Sequence, residues 1–179
     1  MDKIKFNVGS AGVNHDKSWF PTDKKTLDIT KYSHWWTLLL FLRVDNIMAE
    51  HVWEHLTPHD TALANLNCYT FLKRGGRLRL AVPDGFHPDP AYIDYVRPNG
   101  NGAGADDHKI LYNYKIMKAN LEKVGFTVEL LEYWDEAGKF HGCNWTDEGG
   151  HIRRSSRYDE RNQHGKLAYT SLIVDAIKP

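Results

Sequence analysis

Between Asp45 and Asp84 the chain reads as hydrophobic strand, helix, glycine turn and hydrophobic strand. The first strand stops on Glu50 and His51 and the second on Pro83 and Asp84. Parallel neighbours need a crossover of a dozen or more residues, usually a helix, and the intervening segment is of that kind. Polar groups therefore gather at the carboxyl ends of two parallel strands, the edge at which open α/β sheets bind their ligands.

The rest of the chain extends the pattern. Residues 5–8 form a short strand entering Gly9-Ser-Ala-Gly12, residues 19–23 a second that ends on Asp23, and residues 27–30 a third, very short one. About ten residues separate Gly9 from Trp19, near the lower limit for a crossover, so the first α element reduces to a turn or loop. Trp35, Trp36, Leu39 and Leu42 lie at helical spacing and predict a short buried helix over 32–42. Thr57-Pro-His-Asp60 opens the next helix, with Thr57 as N-cap, Pro58 in the first position and Asp60 near the positive end of the dipole. Leu63, Leu66 and Tyr69 are expected to face the sheet, and Gly75-Gly76 to end the unit.

Residues 86–106, with the run Asn99-Gly-Asn-Gly-Ala-Gly104, read as an irregular insertion, and loops of that length are usually functional or mobile. A helix is predicted over 107–124, with Ile110, Tyr114, Met117, Leu121 and Val124 on one stripe and Gly125 at its C-terminal cap. A further strand starts at Phe126 and a last one spans 167–177, with a polar stretch rich in Arg, Asp, Gly and His between them.

At 179 residues the chain is the size of one domain. Lys plus Arg and Asp plus Glu are both 23, so no basic field exists to hold a polyanion, and nucleic acid is a poor partner. No apolar run approaches the roughly 20 residues that span a bilayer, and Met1-Asp-Lys leads straight into a strand; a cytoplasmic protein without a membrane partner is expected. Cys68 and Cys143 form no CxxC pair and read as free thiols.

Ala49-Glu-His-Val-Trp-Glu-His-Leu56 and Leu72-Lys-Arg-Gly-Gly-Arg-Leu-Arg-Leu-Ala-Val-Pro-Asp84 together resemble the class I S-adenosylmethionine-dependent methyltransferases. The match is to a small bacterial branch whose fourth strand runs into AEHVxEHL, and Arg74 stands where that family often has proline. The resemblance implies a three-layer Rossmann-like sandwich, mostly parallel, with the last strand antiparallel between the fifth and sixth. It also implies methyl transfer from S-adenosylmethionine to a small polar acceptor such as a sugar or metabolite hydroxyl. Two departures stand out: the glycine turn is abbreviated, and no N-terminal helix covers the cofactor. They keep open a degenerate fold acting as a binding or assembly module.

Gly9 and Gly12 let backbone pass close to a ligand, and Ser10 offers a hydroxyl or amide. The third glycine of the dinucleotide fingerprint is missing, which disfavours NAD. By resemblance this turn passes under the methionine part of S-adenosylmethionine. Asp23 ends a strand where a carboxylate accepts from both ribose hydroxyls, unless it is a solvated turn residue beside Lys24 and Lys25. Asp28 matches the family's acid beside the adenine, or else caps a helix. Glu50 and His51 fall where the family places residues facing the transferred methyl.

His51 and His55, four apart, have metal-ligand spacing, but no further ligands are recognisable nearby and no metal is expected. A hydrolase or metal enzyme built on His51, His55 and His108 is the remaining rival. A histidine is suited to take a proton from a hydroxyl, and in this reading His51, Asp84 and His108 carry the proton chemistry. His55, His87, Arg153 and Arg157 meet the acceptor. Asp106 or Asp107 would cap the 107–124 helix. Arg153, Arg154, Arg157 and Arg161 could pin a carboxylate, phosphate or sugar through forked hydrogen bonds. They are equally compatible with an Asp159–Arg161 lock or a contact in a homo-oligomer. Residues 86–106 and 141–164 are expected to close over the site, with His51 beneath and His108 or Arg153 above.

Overall fold

The computed structural model describes residues 3–12, 16–162 and 166–179. Met1, part of the first connection (13–15) and the end of the 141–164 segment (Gln163 and His164) lie outside the described residues. The strands are β1 (Lys5–Val8), β2 (Phe20–Thr22), β3 (Val44–Glu50), β4 (Leu72–Pro83), β5 (Thr127–Trp134), β6 (Phe140–Gly142) and β7 (Ser171–Ile177), and the helices are α1 (Tyr32–Leu39), α2 (Pro58–Phe71), α3 (Pro90–Val96) and α4 (Tyr114–Glu122).

One seven-stranded sheet runs in the order β2-β1-β3-β4-β7-β5-β6. The pairs β1–β2, β1–β3 and β3–β4 are parallel. β7 enters antiparallel between β4 and β5, with Leu80 opposite Val174, and β6 forms a short antiparallel edge on β5. This is the three-layer, mostly parallel sandwich that the resemblance implies.

Alternation along β4 separates the two faces. Leu78, Leu80 and Val82 share a core with Trp35 of α1, Phe71 of α2 and Met117 of α4. Ala81 joins Leu131, Trp145, Ile152 and Ile173 in a second cluster. The layer on that second face contains loop and 3-10 turn from the 140s and 150s. Irregular chain can lie there because side chains of the sheet satisfy its backbone. Arg79 donates to the carbonyls of Thr146 and Gly150 at 2.7 and 2.8 Å, Asn46 to that of Glu148 at 2.7 Å, and Glu132 accepts the Ser156 amide at 2.7 Å.

Several sequence expectations are corrected. Residues 27–30 form a turn, in which the Asp28 carboxylate accepts from the amide and hydroxyl of Thr30. α1 stops at Leu39 because Leu40 has φ 51°, so Trp35 is buried while Trp36 and Leu42 face solvent. Thr57 caps α2 as expected, accepting from the Asp60 amide at 3.1 Å. The buried face of α2 carries Ala64, Cys68 and Phe71 with Asn65 and Asn67, which bond Trp53 Nε1 and the Ile29 carbonyl, and Leu66 is exposed.

Gly75-Gly76 does not end the unit but lies within β4, where the register slips between Leu72 opposite Val44 and Arg77 opposite Asn46. Residues 86–106 are not wholly irregular, since Asp89 caps α3. The 107–124 helix begins only at Tyr114, capped by Asn113 rather than by Asp106 or Asp107. Among the described residues, no helix is long and apolar enough to cross a membrane.

Candidate functional site

β1 delivers Gly9 to the carboxyl edge with φ 66°, and a Cβ there would collide with Val52, so backbone freedom and space both call for glycine. The Ser10 amide donates to the Thr22 carbonyl at 3.0 Å and is spent on the sheet; only the hydroxyl remains for a ligand. Gly12 has φ 81°, a Cβ there would meet nothing within 4 Å among the described residues, and it lines neither the larger nor the smaller cavity at this edge.

Asp23, just beyond β2, holds its own turn through Oδ1, which accepts the amides of Lys25 at 2.8 Å and Thr26 at 3.2 Å. Bonds from the Thr26 and Lys25 amides keep its carboxyl below the usual range, so it is an exposed anion. Burial pushes Asp28 up, but the hydroxyl and amide of Thr30 outweigh it and the net shift is downward. Gly9, Asp23, Asp28, His51 and His55 line one cavity of about 650 Å³, whose apolar wall includes Leu27, Ile29, Val52 and Leu56. That size falls in the range of small-molecule sites.

At the end of β3 the Glu50 carboxylate accepts the amides of Arg153 and Arg154, both at 3.0 Å, and so clamps the polar segment of the second face to the edge. His51 follows with φ 57°, an uncommon conformation for a residue with a Cβ and one that clusters at functional sites. Its Nε2 lies 3.0 Å from Ser171 Oγ, and its Nδ1 lies 3.1 Å from Glu54 Oε1. A 3-10 turn, Trp53–His55, then places Glu54 and His55. The amides of Lys109 and Ile110 donate to the Glu54 carbonyl at 2.6 and 3.3 Å, which brings His108 alongside.

His108 Nδ1 lies 2.7 Å from the Val96 carbonyl, and His55 Nδ1 lies 3.2 Å from Asp107 Oδ2. A carbonyl and a carboxylate only accept, so each ring donates through Nδ1, and in its neutral form the lone pair lies on Nε2. A second cavity of about 260 Å³ is lined by Ser10, Glu50, His51, His55, His108 and Arg153, with Glu54 and Arg154 also in its wall. The two cavities share Gly9, His51 and His55.

Of the residues singled out in the sequence, Gly9, Ser10, Asp23, Asp28, Glu50, His51, His55, His108 and Arg153 meet at this edge. Four do not. Besides Gly12, Asp84 is fully buried, its oxygens accept the amides of Phe86 at 3.0 Å and Trp134 at 2.8 Å, and burial pushes its carboxyl up to about 6. His87 is stacked on Tyr92 with ring centroids 3.9 Å apart, and burial lowers its pKa. Arg157 lies over Trp145 and donates to its carbonyl at 3.1 Å. Asp84 ties the end of β4 to that of β5, His87 packs between Tyr92 of α3 and Trp134, and Arg157 anchors the loop layer. Arg161 and Asp159 form the ion pair that was one of the readings of that loop. Arg154, read with the other arginines, lines the smaller cavity, and Asp107, read as a helix cap, meets His55 instead, whereas Glu54 and His151 have no role in the sequence reading. For Glu54 a signal existed, since it sits between two histidines in the same short motif.

The sequence matches no protein-family model and no curated protein. Solved structures do match. A SAM-dependent methyltransferase from Archaeoglobus fulgidus superposes with TM-score 0.50 at 15% identity, over 98% of this chain and 85% of that one. One from Thermotoga maritima gives TM-score 0.54 at 11% identity, over 98% and 73%. The fold is that of the class I methyltransferases. In methyltransferase terms the β1 and β2 tips bound the larger cavity, the β3 tip joins it to the smaller one, and β7 is the antiparallel last strand.

Proposed function

We propose that the chain transfers a methyl group from S-adenosylmethionine to a small polar acceptor, an oxygen on a sugar or metabolite. The observation that carries this reading is the pair of cavities meeting at Gly9, His51 and His55. In the larger, Asp23 presents an anion to the ribose hydroxyls, Asp28 lies beside the adenine, and the apolar wall takes the base. The sulfonium end passes Gly9 toward His51. In the smaller cavity, Arg153 and His108 face the acceptor.

The reaction is an in-line displacement: the acceptor oxygen forms a bond to the methyl carbon as the carbon–sulfur bond breaks, and sulfur keeps the electron pair. Catalysis then rests on positioning and on removal of the hydroxyl proton. His51 is the residue proposed to accept that proton, and its Nδ1 lies 3.1 Å from the Glu54 carboxylate, which orients the ring.

Calorimetry with S-adenosylmethionine and S-adenosylhomocysteine tests the reading. Both are expected to bind, and Asp23→Ala to weaken both. His51→Ala should leave binding near wild type and lower turnover by about 10²–10⁴-fold, the usual contribution of a general base. No heat from either ligand at high protein concentration would reject the enzyme reading in favour of a degenerate fold serving as a binding module.

A further inference from the structure

We propose that Glu54, His55 and His108 form a binding site for one divalent first-row transition-metal ion. One ligand atom from each residue lies within 4.8 Å of the others. The residues come from two segments far apart in sequence, held together by the Lys109 and Ile110 amides on the Glu54 carbonyl. The imidazoles of His55 and His108 stand edge to face with centroids 4.8 Å apart.

Two further observations point to a cation. Glu54 is 1% exposed and, among the described residues, neither of its carboxylate oxygens makes a hydrogen bond, although Oε1 approaches His51 Nδ1 at 3.1 Å. A buried carboxylate without donors is costly, and a protonated His51 would answer only one of its two oxygens. The histidines are also arranged as ligands are: each gives its Nδ1 to a carbonyl or carboxylate, which fixes the ring and leaves the Nε2 lone pair available.

Two imidazoles and one carboxylate suit zinc, iron, cobalt or nickel; magnesium and calcium prefer sets built of oxygen alone. Donors around a tetrahedral zinc stand about 3.3 Å apart, so binding would draw the three side chains together. Gly104, with φ 81° just before His108, lies in the segment that would move. Three protein ligands leave coordination positions open, and these face the 260 Å³ cavity, where a water or an oxygen of a small ligand would complete the sphere.

The metal ligands line the same cavity as the proposed methyl-transfer residues, but metal binding is tested without cofactor. Metal-stripped protein titrated with Co²⁺ and followed by visible absorption should take up one ion per chain, and Zn²⁺ should displace it. Glu54→Gln and His108→Ala should each weaken cobalt binding by at least about tenfold, and Asp107→Asn, which loosens His55, by about 10–100-fold. His141→Ala, remote and paired with Asp135, should bind as wild type. Absence of a cobalt spectrum, or equal losses in His141→Ala and the three site variants, would overturn the site.

Glu54→Gln also removes a buried charge, so in metal-free buffer it should melt no lower than wild type, and with Zn²⁺ present it should lose the stabilisation that wild type gains. A Zn²⁺-induced rise in Tm equal to wild type would again overturn the site. Calorimetry of the metal-free protein with S-adenosylmethionine keeps the questions separate: cofactor heat without metal uptake defeats this site alone, and metal uptake without cofactor heat defeats the methyl-transfer reading alone.

Discussion

The Arg79 guanidinium meets the Asp175 carboxylate by two parallel bonds, Nε to Oδ1 at 2.7 Å and Nη2 to Oδ2 at 2.8 Å, with both side chains removed from solvent. Its remaining nitrogen reaches the carbonyls of Thr146 and Gly150, so this pair on adjacent strands anchors the loop layer of the second face. Removing one partner leaves a buried charge uncompensated. Asp175→Ala should cost about 3–5 kcal/mol in urea unfolding, and Arg79→Met combined with Asp175→Leu should recover much of that. The double variant should still show fast amide exchange over 145–152, because its carbonyl contacts are gone. Protected amides there would show that the layer is held by other means.

Asp84 gives a pH dependence with a definite sign. Below the unfolded carboxyl value near 3.8 both states are protonated and the residue contributes no slope. Between 3.8 and about 6 the folded state holds the proton more tightly, because burial raises the pKa, and stability therefore falls as pH rises. Above about 6 the loss is complete, on the order of 3 kcal/mol at most. Asp84→Asn cannot titrate, so the stability difference between wild type and variant should shift across that window and stay flat above it. A flat difference from pH 4 to 7 would show that the two amides keep the group ionised throughout.

In the proposed reading, Gly9 lets the backbone approach the cofactor. Gly9→Ala forces a Cβ into a positive-φ position and against Val52, which shapes the larger cavity. S-adenosylmethionine affinity should fall at least about tenfold for a strain of roughly 1–3 kcal/mol at the turn. Adding Val52→Ala removes the collision but not the backbone strain, so recovery should be partial. Full affinity in Gly9→Ala would place the cofactor elsewhere.

What could be read from the sequence was local chemistry. Thr57 and Pro58 announce α2 by capping alone, and Glu50 and His51 end a strand in the text as they do in space. The second face was hidden for a physical reason. Arg77 and Arg79 alternate with leucines along β4, which reads as one face in water, yet Asp175, far along the chain, makes burial of Arg79 tolerable beneath a layer with no periodicity. Asp84 and His87 looked like site residues because they follow a strand, but whether such groups face a cavity or a neighbouring amide depends on β5 and α3, whose placement no local pattern carries. The apolar stripe over 110–124 is genuine, but Asn113 wins the cap and leaves 108–112 outside the helix, with His108 itself extended. That extension sets His108 beside His55.

The roof of the site yields the last prediction. Ala103 and His108 reach the smaller cavity from one side, and His151, Arg153 and Arg154 reach it from the other. The second side is fastened to β3 through Glu50, whereas the run from Asn99 to Gly104 carries two positive-φ residues, Asn99 and Gly104, and is mostly exposed. Closure over a bound acceptor should therefore come mainly from the glycine-rich side, with the Arg153 side as a fixed wall. Hydrogen exchange with S-adenosylhomocysteine plus acceptor should slow amides of 99–108 more than those of 151–154. Glu50→Gln, which turns an amide group toward backbone donors, should speed exchange at Arg153 and Arg154 even without ligand. Unchanged exchange over 99–108 would reject the lid, and an Arg153→Ala variant with full activity would show that the wall does not hold an anionic acceptor.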